Sequence, residues 1–270
     1  MLPVSVIVPA RNAEHFVEQC LAAIFREEPQ EVIVVDGNST DRTREIARRY
    51  PIKLLSDNGA GVPAARMMGI EMATSQLVVL IDVDIVLPEG ALKNLYDEFI
   101  HGQYDALQAG LISATLGSGY WGRALTVHHN RGRSKNWPGV MATIFKRQVL
   151  LTYRFDERFR SGEDIELRWR LQKAHLNVGV SKTTFVKHLF EDTFEFAKEQ
   201  FVADGQGLGR MVAKYGWPAA KLLLIPAGGW ARGILISLLH LEPGWIPYYF
   251  VYLFYNYVSM PRTLGERLTS

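Results

Sequence analysis

Gln76-Leu77-Val78-Val79-Leu80-Ile81-Asp82-Val83-Asp84 is an apolar, partly β-branched run that ends on two carboxylates, with Pro88 closing the turn behind them. A short uncharged run of this kind fits a buried strand, so the two acids emerge where the strand reaches the surface. Carboxylate oxygens suit hard Mg2+ or Mn2+, which keep some waters and bridge phosphate oxygens rather than sit in an all-protein cage. An Asp-x-Asp turn is also an ordinary solvated strand end, and the surrounding residues must decide between the two readings.

Working outward, Val4–Val8, Glu31–Val35, Ile52–Leu55 and Leu77–Ile81 are short strand-like runs, separated by helical patterns at Phe16–Arg26, Arg42–Tyr50 and Pro63–Ala73. This alternation predicts an α/β fold, Rossmann-like, with a mainly parallel sheet and flanking helices. Open sheets of this type bind ligands outside the carboxyl ends of their strands. The loops there are Pro9 to Asn12, Asp36 to Asp41 and Asp82 to Asp84, which are expected to converge on one crevice. A dinucleotide dehydrogenase shares the alternation, but Pro9-Ala10-Arg11-Asn12 lacks the glycine-rich turn that meets a pyrophosphate. Gly205-Gln206-Gly207-Leu208-Gly209 follows the expected helix Phe194–Ala203 instead of a strand, and reads as a turn or a site of tight packing.

A chain of 270 residues, 48% hydrophobic, can bury a substantial core as one large domain or one domain plus an appendage. Its net charge of +2 gives no global clue to partners, and nucleic acid is not among those expected. Cys20 is the only cysteine, so an internal disulfide and a zinc cluster are excluded; it reads as a small buried hydrophobe in a reducing compartment. No charged segment or cleavage site precedes the first strand, and the expected location is cytoplasmic.

Five ordered pieces carry a family likeness: Val6 to Asn12, Val34 to Asp41, Gly61 to Gly69, Asp82 to Asp84, and the series Gly139–Arg147, Phe155–Phe159 and Gly162–Arg170. Together they resemble the family 2 inverting glycosyltransferases of the GT-A fold, over about residues 3–190. The resemblance implies that Pro9, Ala10 and Arg11 line the nucleotide base and that Asp36 contacts base or ribose. Many relatives carry two acids where this chain has Asp36 and Gly37, which leaves uracil or guanine open. Arg66 matches the family's Ala-Arg-x-x-Gly piece and is implied to meet phosphate or orient the acidic turn; from the residues alone it is a helix surface charge. Asp82 and Val83 are implied in donor binding, with Asp82 touching ribose or metal-bound water. Asp84 is implied to ligate Mn2+ or Mg2+, with His188 as a further ligand in some relatives; a lone histidine at a strand end is otherwise structural. For Ser39 and Asp41 helix capping is the preferred reading.

Transfer to a hydroxyl needs a base, and the resemblance implies Asp164 in that role, with Glu163 binding the acceptor or positioning Asp164. Ser161-Gly162-Glu163-Asp164 also fits a capping box with Ser161 as N-cap. His128 to Trp137 is polar, basic and short of periodicity, and reads as a mobile loop in which Arg131, Arg133, Lys135 and Trp137 form an acceptor-gripping flap, or as plain basic surface. Its paired histidines lack a third metal ligand at suitable spacing.

Composition shifts near residue 204, so residues 1–204 are expected to form the GT-A domain and 205–270 an apolar helical tail. Trp245–Met260 is dense in aromatics, which suits a membrane interface. Pro226, Pro243 and Arg232 interrupt the apolar runs, which favours lying on the bilayer over crossing it, with Lys221, Arg232, Arg262 and Arg267 meeting headgroups. A hydrophobic clamp or a homodimer face is the competing use. The expected function is metal-dependent, inverting transfer from a nucleotide-sugar, a UDP-sugar ahead of a GDP-sugar, to a lipid-linked or cell-envelope glycan acceptor, by an enzyme peripheral or monotopic at the inner face of the membrane. A sugar nucleotidyltransferase and a catalytically silent membrane adaptor of the same fold are the alternatives.

Overall fold

The computed structural model describes residues 1–131 and 139–266. The first elements are β1 (Leu2–Ala10), α1 (Val17–Arg26), β2 (Pro29–Asp36), α2 (Thr43–Ala47), β3 (Lys53–Ser56), α3 (Val62–Met72) and β4 (Leu77–Leu80). There follow β5 (Ile85–Val86), α4 (Ala91–His101), β6 (Ala106–Thr115), α5 (Tyr120–Arg131), β7 (Thr143–Lys146), α6 (Arg147–Tyr153), α7 (Glu163–Lys173) and β8 (Val178–Phe190). The chain closes with α8 (Phe194–Tyr215), α9 (Ile225–Leu239), α10 (Ile246–Ser259) and α11 (Pro261–Leu264). Two compact units emerge: one of Met1–Ser113, Arg133–Glu157 and Leu167–Leu189, the other of Ala114–Gly132, Arg158–Glu166 and Phe190–Ser270, each in its described residues. The partition is therefore not a single cut near residue 204, because 114–132 and 158–166 group with the C-terminal segment.

The first unit is built on an eight-stranded sheet of order β3-β2-β1-β4-β7-β6-β8-β5. Its β3-β2-β1-β4 half is parallel, as the strand-helix alternation requires. Beyond it β4 pairs β7, β7 pairs β6 and β5 pairs β8 antiparallel, so the sheet is mixed. The period of two along each central strand feeds two cores. Val4, Val6, Val8, Val32, Val34 and Val79 face one layer with Cys20, Leu21 and Ile24 of α1. Ile7, Ile33, Val35, Val78 and Leu80 face the other with Met67 and Ile70 of α3. Each fully buried aliphatic side chain contributes roughly 1.5–3 kcal/mol. Gly69 lets α3 close on β1, since a Cβ there would lie 2.4 Å from Ile7 Cγ2.

Glu31 ties the opposite edge of this sheet together. It accepts from Ser5 Oγ at 2.5 Å, Lys53 Nζ at 2.6 Å, and Thr74 N and Oγ1 at 2.6 and 2.7 Å. Burial works against its ionisation, but these donors prevail and lower its pKa to about 2.

In the second unit, glycines decide the packing. Gly205-Gln206-Gly207-Leu208-Gly209 is neither a loop nor a turn but the middle of α8, which runs on past the expected end at Ala203. Each helix-interior glycine costs about 1 kcal/mol in propensity relative to alanine, so close approach must offset it. A Cβ on Gly205 would lie 2.3 Å from the Asn256 carbonyl oxygen, and one on Gly209 would lie 2.6 Å from that of Met260. α9 presents Gly229 and Gly233, one turn apart, to the rings of Tyr252 and Tyr249. Pro226 does not break this region, because it sits in the first turn of α9, where its missing N–H costs nothing. Trp217–Leu239 forms one helical stretch of 23 residues with mean hydropathy 1.7, long and apolar enough to cross a membrane, and only 22% of its most apolar window is buried.

The segment expected as a loop from His128 is helical through Arg131. α5 packs Leu125 and His128 onto α10, with the His128 ring 5.4–5.5 Å from those of Tyr248, Tyr249 and Tyr252. Burial, then the Arg232 charge, lowers the His128 pKa to about 4, so it is a neutral packing residue. Asp192 caps α5, accepting from Gly119 N and, at 2.8 Å, from Gly122 N.

Two outcomes test this packing. Glu31→Gln is expected to lower stability by about 1–3 kcal/mol at neutral pH in denaturant titrations. Because the folded pKa lies below the unfolded value, that stabilisation is present above about pH 4.5 and lost as pH falls through about 2, so wild type and variant converge in acid. Gly205→Ala gains about 1 kcal/mol of propensity but overpacks a backbone carbonyl, for a net loss of about 1–3 kcal/mol. Gly228→Ala, with nothing within 4 Å of the added Cβ, is expected to be neutral or stabilising.

Candidate active site

The carboxyl ends of the parallel strands bring together the loops expected to form a crevice, all within the first unit. Register sets Ala10 opposite Asp36 and Ile7 opposite Leu80, so the three loops leave the sheet side by side. They are also stitched together. Asn12 N donates to Ser39 Oγ at 3.0 Å, Thr40 N to Asn12 Oδ1 at 2.9 Å, and Glu14 N to Asp41 Oδ2 at 3.0 Å. Pro9 and Ala10 are buried at this edge while Arg11 is exposed. Gly37 makes room for the Arg11 stem, since a Cβ there would lie 3.1 Å from Arg11 Cβ. Asp36 is 1% exposed, accepts from Ser39 N at 3.2 Å and lies 3.8 Å from Arg44 Nε. Asp41 accepts from Thr43 N and Oγ1 at the start of α2, as a cap does, whereas Ser39 ties the first two loops together and is not the N-cap.

Arg66 is not a surface charge. It is 2% exposed, lies over the Phe155 ring and donates from Nη2 to Asp82 Oδ1 at 2.7 Å. This pair fixes the first acid of the turn, while Val83 packs against the core beside it. Cys20, buried beneath, donates weakly to the Asp82 carbonyl, and burial followed by the charges of Asp84 and Asp82 pushes its thiol pKa well up; it stays an inert thiol.

Asp84 meets His188, which β8 brings opposite Ile85 of β5, with Nε2 at 3.1 Å from Asp84 Oδ2. Burial opposes protonation of His188, but the charge and hydrogen bond of Asp84, with Asp82 behind, outweigh it and raise its pKa above the ordinary value. The other oxygen, Asp84 Oδ1, is buried and has no hydrogen-bond partner among the described residues. Among those residues no group of three or more His, Cys, Asp or Glu side chains could hold a metal alone. A carboxylate with one oxygen unclaimed beside an imidazole is a partial donor set, which fits a Mg2+ or Mn2+ ion whose remaining ligands are waters and substrate phosphates.

Glu163 and Asp164 open α7 in the second unit. The helix starts at Glu163, Gly162 before it has φ +78°, and the Ser161 hydroxyl accepts from Arg210 Nη1 at 2.9 Å, so the expected Ser161 cap is replaced by a glycine turn held by an arginine. Arg131 is bound to Glu242 through both guanidinium nitrogens at 2.5 and 3.2 Å, and is a structural ion pair of this unit. Arg133, Lys135 and Trp137 of the expected flap, and Arg267, lie outside the described residues. Sequence reasoning missed Asp57, whose carboxylate holds Gly59 N and Gly61 N at 2.8 and 3.0 Å and shapes the loop after β3. The Asp-x-Gly-x-Gly spacing was its available signal.

A family model described as Glycosyl transferase family 2 matches residues 5–183. The chain belongs to glycosyl transferase family 2. Among curated family members, the uncharacterized glycosyltransferase EpsJ of Bacillus subtilis is 30% identical over 118 residues, 41% of this chain and 34% of that protein. The poly(ribitol-phosphate) β-N-acetylglucosaminyltransferase TarS of Staphylococcus aureus is 32% identical over 104 residues, 35% of this chain and 18% of that protein. The match thus spans about a third or less of these relatives' length. Among solved structures, the mannosyltransferase PcManGT of Pyrobaculum calidifontis, in complex with GDP-Man and Mn2+, aligns at TM-score 0.67 and 19% identity over 96% of this chain and 87% of that one. S. aureus TarS 1-349 in complex with UDP aligns at TM-score 0.56 and 19% identity over 98% and 92%. At such identities the likeness shows the family 2 fold.

The buried Arg66–Asp82 pair should matter far more than exposed ones. Arg66→Met is expected to cost about 1–3 kcal/mol in unfolding experiments, whereas breaking the exposed Arg42–Glu45 pair with Glu45→Gln should leave stability unchanged within error. Equal effects would contradict the pinned turn.

Proposed function

We propose that the protein is a metal-dependent, inverting glycosyltransferase that moves a sugar from a nucleotide-sugar, a UDP-sugar ahead of a GDP-sugar, to a lipid-linked or cell-envelope glycan acceptor. The observation that carries this reading is the unclaimed Asp84 oxygen beside His188 on a turn whose other acid is pinned by Arg66. Pro9, Ala10, Arg11 and Asp36 hold the nucleoside. Arg66, Asp82 and Val83 form the wall under the diphosphate. Asp84 and His188 would hold the cation, with Asp82 reaching its waters. The bound ion acts as a Lewis acid that offsets charge on the departing nucleoside diphosphate. Asp164 takes the proton of the acceptor hydroxyl as it attacks the anomeric carbon opposite the leaving group, which inverts that centre, and Glu163 positions the acceptor. That PcManGT was solved with GDP-Man and Mn2+, and TarS with UDP, supports a nucleotide-sugar donor and a divalent ion. The name of TarS, and that of the minor teichoic acid biosynthesis protein GgaB of B. subtilis, supports an envelope acceptor.

Trp217, Leu235, Leu238, Leu239, Leu241 and Phe254 of the second unit all leave large apolar side chains exposed, which supports association with the inner face of the membrane. Lys221, Arg232 and Arg262 supply cations for anionic headgroups.

Thermal-shift measurements across UDP- and GDP-sugars, with and without Mn2+, test the donor reading; stabilisation by one nucleotide class only with metal is expected. Asp84→Ala should abolish the metal-dependent shift. Asp164→Asn should keep that shift but lose transfer by about a thousandfold or more, an outcome a silent adaptor would not give. In flotation with anionic phospholipid vesicles, Leu238→Glu with Leu241→Glu should release the protein while leaving the nucleotide shift intact. A dimer that is broken by these changes and ignores vesicles would instead mark a homodimer face.

A further inference from the structure

Glu163, Asp164 and Glu166 place three carboxylates in the first turn of α7, and the fold handles the last one differently. Glu163 and Asp164 are half-buried, whereas Glu166 is 0% exposed. Its Oε1 accepts from Lys214 Nζ at 2.5 Å and from Tyr215 Oη at 2.6 Å, both in the last turn of α8. Lys214 is itself confined. Its side chain is 10% exposed, and its ammonium lies 5.5 Å from the centre of the Phe159 ring and 5.3 Å from that of Tyr215, within the range in which ring faces attract a cation.

The segment just before α7 is held by the same helix. The Gly207 backbone lies against Gly162, where a Cβ would come within 2.8 Å of Gly207 Cα, and Arg210 donates to the Ser161 hydroxyl. Gly207, Arg210 and Lys214 stand three and four residues apart, which makes them one stripe along α8. Residues 161, 162 and 166 therefore meet a single face of that helix, all within the second unit.

A buried ion pair is a costly way to join two helices, because desolvation offsets much of its attraction and apolar side chains of similar volume would hold as well or better. What charge-assisted hydrogen bonds add over an apolar contact is direction. Residues two apart on a helix project to different sides, so a bond that fixes the Glu166 carboxylate also sets the rotation at which Asp164 is presented. A helix with its side chains is about 10–12 Å across, so a rotation of about 10° displaces the Asp164 carboxyl by about 1 Å. Misplacement by about 1 Å can cost about a hundredfold in rate.

We propose that Lys214 and Glu166 are positioning residues for glycosyl transfer: their pair, supported by Tyr215, fixes the rotation at which the first turn of α7 presents Asp164, and transfer depends on the pair while donor binding does not. The inference rests on Asp164 being the base.

Lys214→Met alone leaves a buried carboxylate without its counter-charge, so loss of fold would mask loss of rate. Lys214→Met with Glu166→Leu removes charge and direction together and keeps an apolar contact of similar volume; its unfolding midpoint should stay close to that of wild type. The assay follows radiolabelled sugar moved from UDP-glucose, UDP-N-acetylglucosamine or GDP-mannose to water or to n-octyl β-glucoside by the full chain in detergent with Mn2+. The double variant is expected to lose about ten- to a hundredfold in kcat, with donor KM and the Mn2+-dependent nucleotide thermal shift unchanged. Added to Asp164→Asn, it should lose nothing beyond what Asp164→Asn loses alone, because a residue that acts through another has no effect once that other is gone. Wild-type kcat in the double variant, a donor KM that rises in step, or a full further loss on the Asp164→Asn background overturns the proposal. Amide hydrogen exchange judges the anchor without turnover: residues 163–168 should exchange about tenfold faster or more in the double variant while α8 keeps its protection. Unchanged exchange there overturns it. Full transfer by Asp164→Asn would instead defeat the base assignment, and the catalytic role of the pair falls with it.

Discussion

Two carboxylates one residue apart at the end of a buried strand cannot both stand as bare charges, and the arrangement of the first unit follows from how each is handled. Asp82 is neutralised by Arg66, which α3 presents from a buried position because Gly69 lets that helix lie directly on β1. A buried ion pair is weak evidence for stability, since desolvation offsets much of the attraction. What it supplies is orientation. With Asp82 held from one side, Asp84 turns to His188, spends one oxygen there and keeps the other unclaimed. An unclaimed carboxylate oxygen on such a turn fits a ligand that brings positive charge and further oxygen donors, as a divalent ion on a diphosphate would.

The second unit solves a different problem. An apolar segment with many large rings must pack tightly, and besides a few polar anchors, such as Ser259 Oγ on the Val202 carbonyl and Thr263 Oγ1 on that of Gln206, it does so by removing side chains from the opposing helices. Gly205 and Gly209 on α8, and Gly229 and Gly233 on α9, receive the backbone and rings of α10 and its C-terminal neighbours. The same device at Gly207 docks the Gly162 turn and thereby sets the start of α7, where Glu163 and Asp164 stand. Helix propensity is given up at each site, and close contact more than offsets it.

The parallel half of the sheet was legible because buried strands and amphipathic helices leave strong periodic signals, and β1, β2, β4 and α1 fall within a few residues of expectation. The acidic turn was legible because it sits at the end of such a strand. The antiparallel half was not, because pairing direction depends on which distant strands meet, as when β7 returns beside β4. The glycines of α8 left a turn and tight packing both open; tight packing holds, because Asn256 and Met260, far along the chain, approach the helix where a side chain would stand. Arg66 looked like surface because its burial depends on Phe155 and Asp82, both far along the chain. His128 to Arg131 looked irregular because the packing that orders this end of α5 is the His128 ring on the tyrosine rings of α10, which polarity scales do not count as core.

The central claim is that cation and nucleotide are held jointly, with Asp84 and His188 supplying too few ligands to bind metal well by themselves. Electron paramagnetic resonance of Mn2+, titrated with the protein in the absence and presence of UDP or GDP, measures this directly. The account predicts little bound Mn2+ with protein alone and a strong rise with the correct nucleotide, together with an equal gain in nucleotide affinity when Mn2+ is present, since linkage is reciprocal. Nucleotide binding that is indifferent to Mn2+, or tight Mn2+ binding that no nucleotide changes, would contradict it.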